Sequence, residues 1–497
     1  MTTALSERNP GQDAVRRRFA ARLRAFLPRD AVLTDAEDMH PYECDGLSAY
    51  RKLPWIVALP ETVEQVGLLL KLCSEEKISV VARGAGTGLS GGALPLEDGV
   101  LLSLAKFTRI LEIDPANRTA TVEPGVRNQA ITDAAAPYGF YYAPDPSSQL
   151  ACSIGGNVAE NSGGVHCLKY GLTVHNILGL KFFTMDGELV TLGGKTLDSP
   201  GYDLLAVMTG SEGMLGVIVE ITVKLLPKPE SAQVLLAAFD DIEKAGAAVA
   251  AIIASGFTPA GLEMMDKLAI RAAEEYAKAG YPTDAVAILL CELDGTQEEV
   301  TEGIAQVREL LTRHGATEVR AAKDEAERMR MWAGRKAAFP AIGRLAPDYY
   351  CMDGTIPRKH LGKVLAKISE LSREHGLPVA NVFHAGDGNL HPLILYDANK
   401  PGELKNAEEL GGKILELCVA VGGTITGEHG VGVEKINQMC VQFNREELTQ
   451  FHALKAAFDP QGLLNPGKAV PKPARCAEFG RMHVHGGKLK FPDLERF

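Results

Sequence analysis

From Trp55 onward, short apolar runs alternate with longer segments whose apolar residues recur at helical spacing. Trp55-Ile-Val-Ala-Leu59 has the length and composition of a strand. Thr62–Glu76 places Val63, Val66, Leu69, Leu70 and Cys73 on one side of a predicted helix. Ile78–Ala82 is a second strand that runs straight into glycine-rich sequence, and upstream Ala14–Phe26 reads as a short amphipathic helix. As far as Leu226, β-branched runs such as Val100–Leu104, Thr119–Val122 and Val217–Leu225 are separated by Gly and Pro turns. Leu226-Pro-Lys-Pro-Glu230 reads as a boundary, because two prolines so close stop regular structure. Beyond it, Gln233–Phe239 and Ala285–Leu293 predict strands, and Ile242–Ser255 and Glu298–His314 predict helices. That β-α-β order suggests a separate α+β domain.

A chain of 497 residues exceeds one hydrophobic core, so two or three domains are expected. The net charge of −11 implies no basic surface and argues against nucleic acid as a partner. The nine cysteines are scattered singly without a C-x-x-C pair, which excludes a cysteine-built zinc or iron–sulfur site. Odd and dispersed, they fit a reducing compartment better than a disulfide framework. No apolar run approaches a membrane span, and Met1–Pro10 lacks the apolar stretch of a secretory signal. The expectation is a cytoplasmic protein, peripheral to the inner membrane only through partners.

Arg83-Gly-Ala-Gly-Thr-Gly-Leu-Ser-Gly-Gly-Ala93 follows a strand, and clustered backbone N–H groups in such a loop can cradle phosphate oxygens. Gly86–Gly91 matches G-x-G-x-x-G, but that fingerprint needs a helix opening within the glycines. Gly92, Pro95 and Gly99 are poor helix material, so a nicotinamide-type fold is rejected. Taken alone, the loop reads equally well as a plain turn. Two more loops change the balance: Pro144–Ser148 leading into Ser153–Gly164, and Gly210–Gly216. Three glycine-rich loops in one half imply a large, extended ligand.

Val382-Phe-His-Ala-Gly-Asp-Gly-Asn-Leu-His391 carries the most informative chemistry. His384 and His391 would face opposite sides of one continuous strand, but Gly386-Asp-Gly-Asn389 is turn material that can fold the chain back. Thr426-Gly-Glu-His-Gly430 adds Glu428 and His429. Two imidazoles and a carboxylate suit a divalent metal with positions open for substrate. Any one of these histidines alone reads as an ordinary core or surface residue. Two glycine-flanked histidine turns in one domain are harder to explain as packing.

The glycine-rich half, over about residues 40–226, resembles the vanillyl-alcohol-oxidase-type FAD domain, in which two subdomains hold extended FAD. The resemblance implies that Gly84, Ala85, Gly86, Thr87 and Gly88 hold the pyrophosphate. It puts Asp145, Ser153, Gly156, Asn157, Gly163 and Gly164 on the flavin side, with Glu212 and Ile218 near the ribityl and adenosine parts. No histidine stands between Arg83 and Ala93, where relatives with covalent flavin often carry one, so non-covalent FAD is expected. The histidine motifs, with Phe458-Asp-Pro-Gln-Gly-Leu-Leu-Asn-Pro-Gly-Lys468, resemble the FAD-linked D-lactate, D-2-hydroxyglutarate and glycolate dehydrogenases. Carried over, His384, His391 and Glu428 bind the metal (Zn, Mn or Fe), His429 is the base, Asn389 joins the catalytic set and Asn465 lies near the flavin. Trp332-Ala-Gly-Arg335 resembles the segment whose arginine grips the substrate carboxylate, although a solvated helix arginine is nearly as good a reading of Arg335. Cys351 and Met352 stand where dicarboxylate-specific relatives carry a basic residue, which favours a monocarboxylate. Asp348–Pro357 and the tail motifs Arg475-Cys-Ala-Glu-Phe and Met482-His-Val-His485 are most similar to the glycolate oxidase FAD-linked subunits.

The implied fold class is α+β. An N-terminal helical segment (1–50) would precede a two-subdomain FAD domain (51–226). An α+β substrate domain bearing the metal site (227–430) and a C-terminal segment returning to the FAD domain (431–497) would follow. The implied function is oxidation of a small 2-hydroxy acid, with electrons leaving to an iron–sulfur subunit beside a second flavin-fold subunit, and Pro471–Phe497 as a docking segment. The alternatives are a D-lactate dehydrogenase acting alone, a non-catalytic flavin-binding subunit and a metal-dependent hydrolase.

Overall fold

The structure is a computed structural model that describes residues 10–196, 201–472 and Cys476. Of the expected docking segment Pro471–Phe497, Pro471, Lys472 and Cys476 are described; the rest of it, with the remainder of both tail motifs, lies outside the described residues.

The N-terminal half is built on two sheets. The first runs Val32–Leu33, Ile56–Ala58, Val100–Ser103, Val80–Arg83, and the last three are parallel. The helix Val63–Glu76 is the crossover between two of them. A capping box between Thr62 and Gln65 starts it, and Lys77 ends it in the left-handed region at φ 58°. Its apolar face joins Val80, Val100 and Leu102 in a closed core. Gly84–Gly99 then runs as loop and turn, without the helix that a nicotinamide fingerprint needs. The second sheet is antiparallel, in the order Ile110–Asp114, Thr119–Val122, Val217–Lys224, Ile177–Phe183, Leu189–Gly193. The helix Ile154–Glu160 packs on it through Ile154 and Val158.

The boundary at Leu226 is less abrupt than its prolines predict. Leu226–Pro227 still pairs with Phe140–Tyr141 as a two-residue edge ladder, a place where a missing N–H is tolerated. Beyond it stands one seven-stranded antiparallel sheet, in the order Glu318–Ala321, Ser231–Phe239, Ala287–Gly295, Gly261–Asp266, Val379–His384, Asn389–Tyr396, Asp348–Cys351. Along Ser231–Phe239, Leu235, Ala237 and Phe239 enter one core, while Val234, Leu236 and Ala238 enter another. Helices cover both faces, which is why this strand is a continuous apolar run rather than an alternating one. The helices Ile242–Ala254, Leu361–His375 and Glu403–Ala420 lie on the first face, and Lys267–Ala277 and Glu325–Lys336 on the second.

After the helix Arg445–Phe458 the chain returns to the N-terminal half. Val80 N donates to Leu463 O at 2.8 Å and Asn465 N to Val80 O at 2.8 Å, and Leu464 sits in that core. One expectation about cysteine is corrected. Cys440 and Cys476 form a disulfide across 36 residues, leaving seven free thiols among the described residues. Sequence spacing gave no sign of it, because the returning tail alone brings these two positions to a Cα separation of 5.4 Å. Among the described residues, no helix is long and apolar enough to cross a membrane.

Candidate active site

A cavity lies between the two halves. Gly84, Ala85, Gly86, Thr87, Gly88, Ser153, Gly156, Asn157, Glu212 and Ile218 line it on one side. Lys336, Phe339, Pro340, His391, Glu428 and His429 close the other. The first glycine loop lies flat against its neighbour: Ala85 N donates to Ser153 Oγ at 3.2 Å, and a Cβ on Gly84 would stand 2.2 Å from that oxygen. Gly86, at φ +73°, lets the chain turn over the Arg83 guanidinium.

Four residues expected on the flavin side are not on this wall. The Asp145 carboxylate is engaged by His166, at 2.9 Å from Nδ1 and 3.1 Å from the backbone N. Gly163 and Gly164 provide clearance instead: Cβ atoms there would meet Glu428 Oε2 and the Asp145 backbone, each at 2.5 Å. Asn465 stands behind the loops and donates through Nδ2 to Gly92 O at 3.0 Å and Glu212 O at 2.6 Å. In each case the side chain or clearance is used for packing one loop on another.

The histidine turn folds as its glycines predict. Val379–His384 and Asn389–Tyr396 form a hairpin in which His384 pairs with Asn389, and the two imidazoles meet with centroids 5.1 Å apart. His384 Nε2 and His391 Nε2 converge on the same oxygen, Glu428 Oε1, at 3.2 and 2.8 Å. His429 stacks on His391 at 4.9 Å, with its Nε2 3.9 Å from that oxygen. Buried nitrogens aimed at one carboxylate oxygen, with His391 Nδ1 and His429 Nδ1 lacking hydrogen-bond partners, form a donor set that fits a divalent cation.

Sequence reasoning missed the residues behind this set. Glu263, on the strand Gly261–Asp266, accepts from His384 Nδ1 at 2.9 Å, the carboxylate–histidine pairing that fixes a metal ligand's ring. Asp353 is fully buried and gathers the second turn: the backbone N atoms of Gly427, Glu428 and His429 donate to its carboxylate at 2.9–3.3 Å, and Lys435 Nζ stands at 3.1 Å. One of its oxygens lies within 4.8 Å of a donor atom of each of His391, Glu428 and His429, but so many N–H groups leave it suited to shaping the turn rather than ligating. The only signal for Asp353 was its place in the Asp348–Pro357 motif. Glu263 had none, since it reads as a polar interruption in an apolar strand.

Two expected catalytic residues lie off the cavity. Asn389 donates through Nδ2 to Asp353 Oδ1 at 3.0 Å, so it supports the turn. Arg335 is 1% exposed, and its Nη2 is 2.5 Å from Glu263 Oε2. Glu263 balances its charge inside the protein, and Arg335 is not among the cavity-lining residues. Cys351 and Met352 are likewise buried and do not line the cavity.

Burial sets the protonation of His429. Desolvation pushes the His429 imidazole down to about 4, and the nearby His391 adds to that against the pull of Asp353. The ring is neutral at physiological pH and can accept a proton. Burial opposes the charge of Glu428, yet His384 and His391 hold it well below the usual carboxylate range, so it is an anion.

Residues 54–193 match the FAD binding domain family, and residues 228–469 match the C-terminal domain of FAD linked oxidases. The chain is 66% identical to the glycolate oxidase subunit GlcD of Escherichia coli, over 96% of this chain and 95% of that protein. It is 39% identical to the glycolate oxidase subunit GlcD of Bacillus subtilis over 87% of this chain and 93% of that one. A D-lactate dehydrogenase of Archaeoglobus fulgidus is 35% identical, over 84% and 92%. Among solved structures, 4-ethylphenol oxidase from Gulosibacter chungangensis superposes with a TM-score of 0.78 at 17% identity, over 94% of this chain and 98% of that one. p-Cresol methylhydroxylase gives 0.75 at 20%, over 93% and 98%. The fold is thus the α+β vanillyl-alcohol-oxidase type, FAD is its cofactor, and this chain belongs to the FAD-linked oxidases, in the branch that contains the glycolate oxidase subunit GlcD.

Proposed function

We infer that this protein oxidises a small 2-hydroxy acid, glycolate first and D-lactate beside it, to the 2-oxo acid. The observation that carries the reading is that a neutral base, His429, and the carboxylate that the ligand histidines converge on, Glu428, open into the same cavity as the flavin-type glycine loops. Bound FAD supplies the acceptor for two electrons, and a bound divalent cation would supply Lewis acidity toward the substrate hydroxyl. His384, His391 and Glu428 would hold that cation. His429 takes the hydroxyl proton, which its neutral ring permits. Asp353 keeps the base and Glu428 in register through the three amides it binds. Phe339 and Pro340 give the cavity an apolar wall beside the histidines, which helps to exclude water.

The flavin is held non-covalently. Among the cavity-lining residues Cys152 is the one thiol, and burial raises its pKa while Asn157 hydrogen-bonds it, so it is a poor nucleophile. Electrons leave to an iron–sulfur partner subunit, since the scattered cysteines offer no cluster site in this chain. A D-lactate dehydrogenase acting alone is the second reading, supported by the relative from Archaeoglobus fulgidus.

An anaerobic absorbance titration with glycolate, D-lactate and L-lactate, before and after chelation, tests this. Glycolate and D-lactate should bleach the oxidised flavin band, and chelation should abolish bleaching while leaving the band itself. A flavin band that none of the three acids bleaches would refute the reading.

A further inference from the structure

We propose that Cys351, His391 and His429 form a second metal site, which takes a thiophilic divalent cation of the zinc and cadmium kind and silences His429. The site stands on geometry, and only its effect on turnover rests on the hydroxy-acid reading above. Cys351 Sγ and one nitrogen of each imidazole lie within 4.8 Å of one another. The strand Asp348–Cys351 supplies the thiol. Cys351 pairs with Leu393, two residues from His391 on the strand Asn389–Tyr396, so thiol and imidazole stand on one face of the sheet. The same segment brings in the third donor, because Asp353, two residues past Cys351, holds the His429 amide at 2.9 Å. The His391 and His429 rings lie nearly parallel, at 11°.

The back edges of these rings carry the argument. In His384, Nε2 faces Glu428 and Nδ1 is tied to Glu263 at 2.9 Å, as expected of a ligand ring. His391 Nε2 also faces Glu428, at 2.8 Å, but its Nδ1 has no hydrogen-bond partner among the described residues, and neither has His429 Nδ1. His391 is 1% exposed, and a buried nitrogen left unpaired is costly. The Cys351 thiol makes only a long hydrogen bond to Met352 O, at 3.4 Å. One sulfur and two imidazole nitrogens suit a zinc-like ion, whereas magnesium and calcium prefer oxygen. A tetrahedral ion with bonds of about 2.0–2.3 Å needs donors about 3.5 Å apart, so the three side chains need to close by no more than about 1 Å. Binding replaces the thiol proton, which leaves to solvent, with a sulfur–metal bond. A neutral imidazole has one lone pair. Once His429 Nδ1 gives it to the ion, Nε2 carries the ring proton and cannot accept another. His391 faces the same choice, so this ion and a cation at His384, His391 and Glu428 compete for its ring.

The test uses the FAD-loaded protein and the variants C351S, C351A, C152S and C44S. The last two remove the cavity-lining thiol and the half-buried one, and keep Cys351. Cadmium is added, with magnesium as the control, and the ultraviolet difference spectrum, bound cadmium and glycolate turnover are read. The unaltered protein should show a thiolate–cadmium band and lose turnover. C351S and C351A should lack the band, and half inhibition, each against its own uninhibited rate, should need at least about 10-fold more cadmium. C152S and C44S should retain both band and inhibition, and magnesium should give neither. Cadmium that merely replaced the cation at His384, His391 and Glu428 would inhibit without a sulfur band, and that result would overturn the proposal. So would a band and an inhibition that survive unchanged in C351S and C351A. A Cys351-dependent band in a protein whose flavin no 2-hydroxy acid bleaches would keep the metal site and remove the reaction reading.

Discussion

Glu263 serves two neighbours with one buried carboxylate. Oε1 orients His384 at 2.9 Å, and Oε2 neutralises Arg335 at 2.5 Å. These roles separate under mutation. Glu263→Gln should weaken metal retention about 10- to 100-fold, because the ligand ring loses its anionic partner. It also leaves Arg335 buried and unpaired, a loss of about 3–5 kcal/mol. Adding Arg335→Met removes the orphaned charge, so the double variant should regain melting temperature without regaining metal. Metal analysis after dialysis against a chelator, alongside thermal melts, checks both arms. Recovery of metal in the double variant would show that Glu263 acts through stability alone.

At the scale of elements, the short segment His166–Tyr170 clips one half of the molecule to the other. His166 bridges Asp145 at 2.9 Å and Glu292 of the strand Ala287–Gly295 at 3.2 Å. Lys169 and Tyr170 both engage Asp294 of the same strand. Burial alone would push the His166 pKa down, but the two carboxylates raise it to about 10. The sign follows. A raised imidazole pKa gives stability that is complete below about pH 6.5, the unfolded value, and fades as pH rises toward 10. The lowered pKa values of Asp145 and Glu292 set the acid limit, since their contribution disappears as they are protonated. His166→Gln should therefore lose about 1–2 kcal/mol at pH 6–7, a modest value because the ring is 26% exposed. The gap in melting temperature between wild type and variant should narrow steadily toward pH 10. A gap constant with pH would mean that the bridge carries no charge.

The whole molecule separates cofactor retention from site assembly. The glycine loops belong to the N-terminal half, while His391, Glu428 and His429 belong to the C-terminal half. The chain then returns, inserting Leu464 into the first core and Lys468 against Gly92 O and Leu94 O. Backbone amides and clearance rather than a reactive side chain hold the cofactor loop. Acid precipitation should therefore release all flavin to the supernatant, read by absorbance of both fractions. Yellow pellets would overturn non-covalent attachment.

The sequence by itself determined the local elements and the chemistry they carry. Thr62 and Gln65 start a helix wherever that segment lies, and Gly386–Asn389 makes a hairpin that brings His384 and His391 together within one stretch of chain. The glycine loops were legible together: one alone reads as a plain turn, but three in one half imply an extended ligand. What only tertiary structure decided was which charges meet. Glu263 and Arg335 are 72 residues apart by number, Asp353 lies 75 before Glu428, and Cys440 reaches Cys476 only because the chain doubles back. Arg335 and Lys336 look interchangeable in sequence. The turn of one helix, and a buried glutamate on a distant strand, decide which one reaches the cavity. Electrostatic partners are set by distance in space, and a local pattern of residue types does not encode that distance.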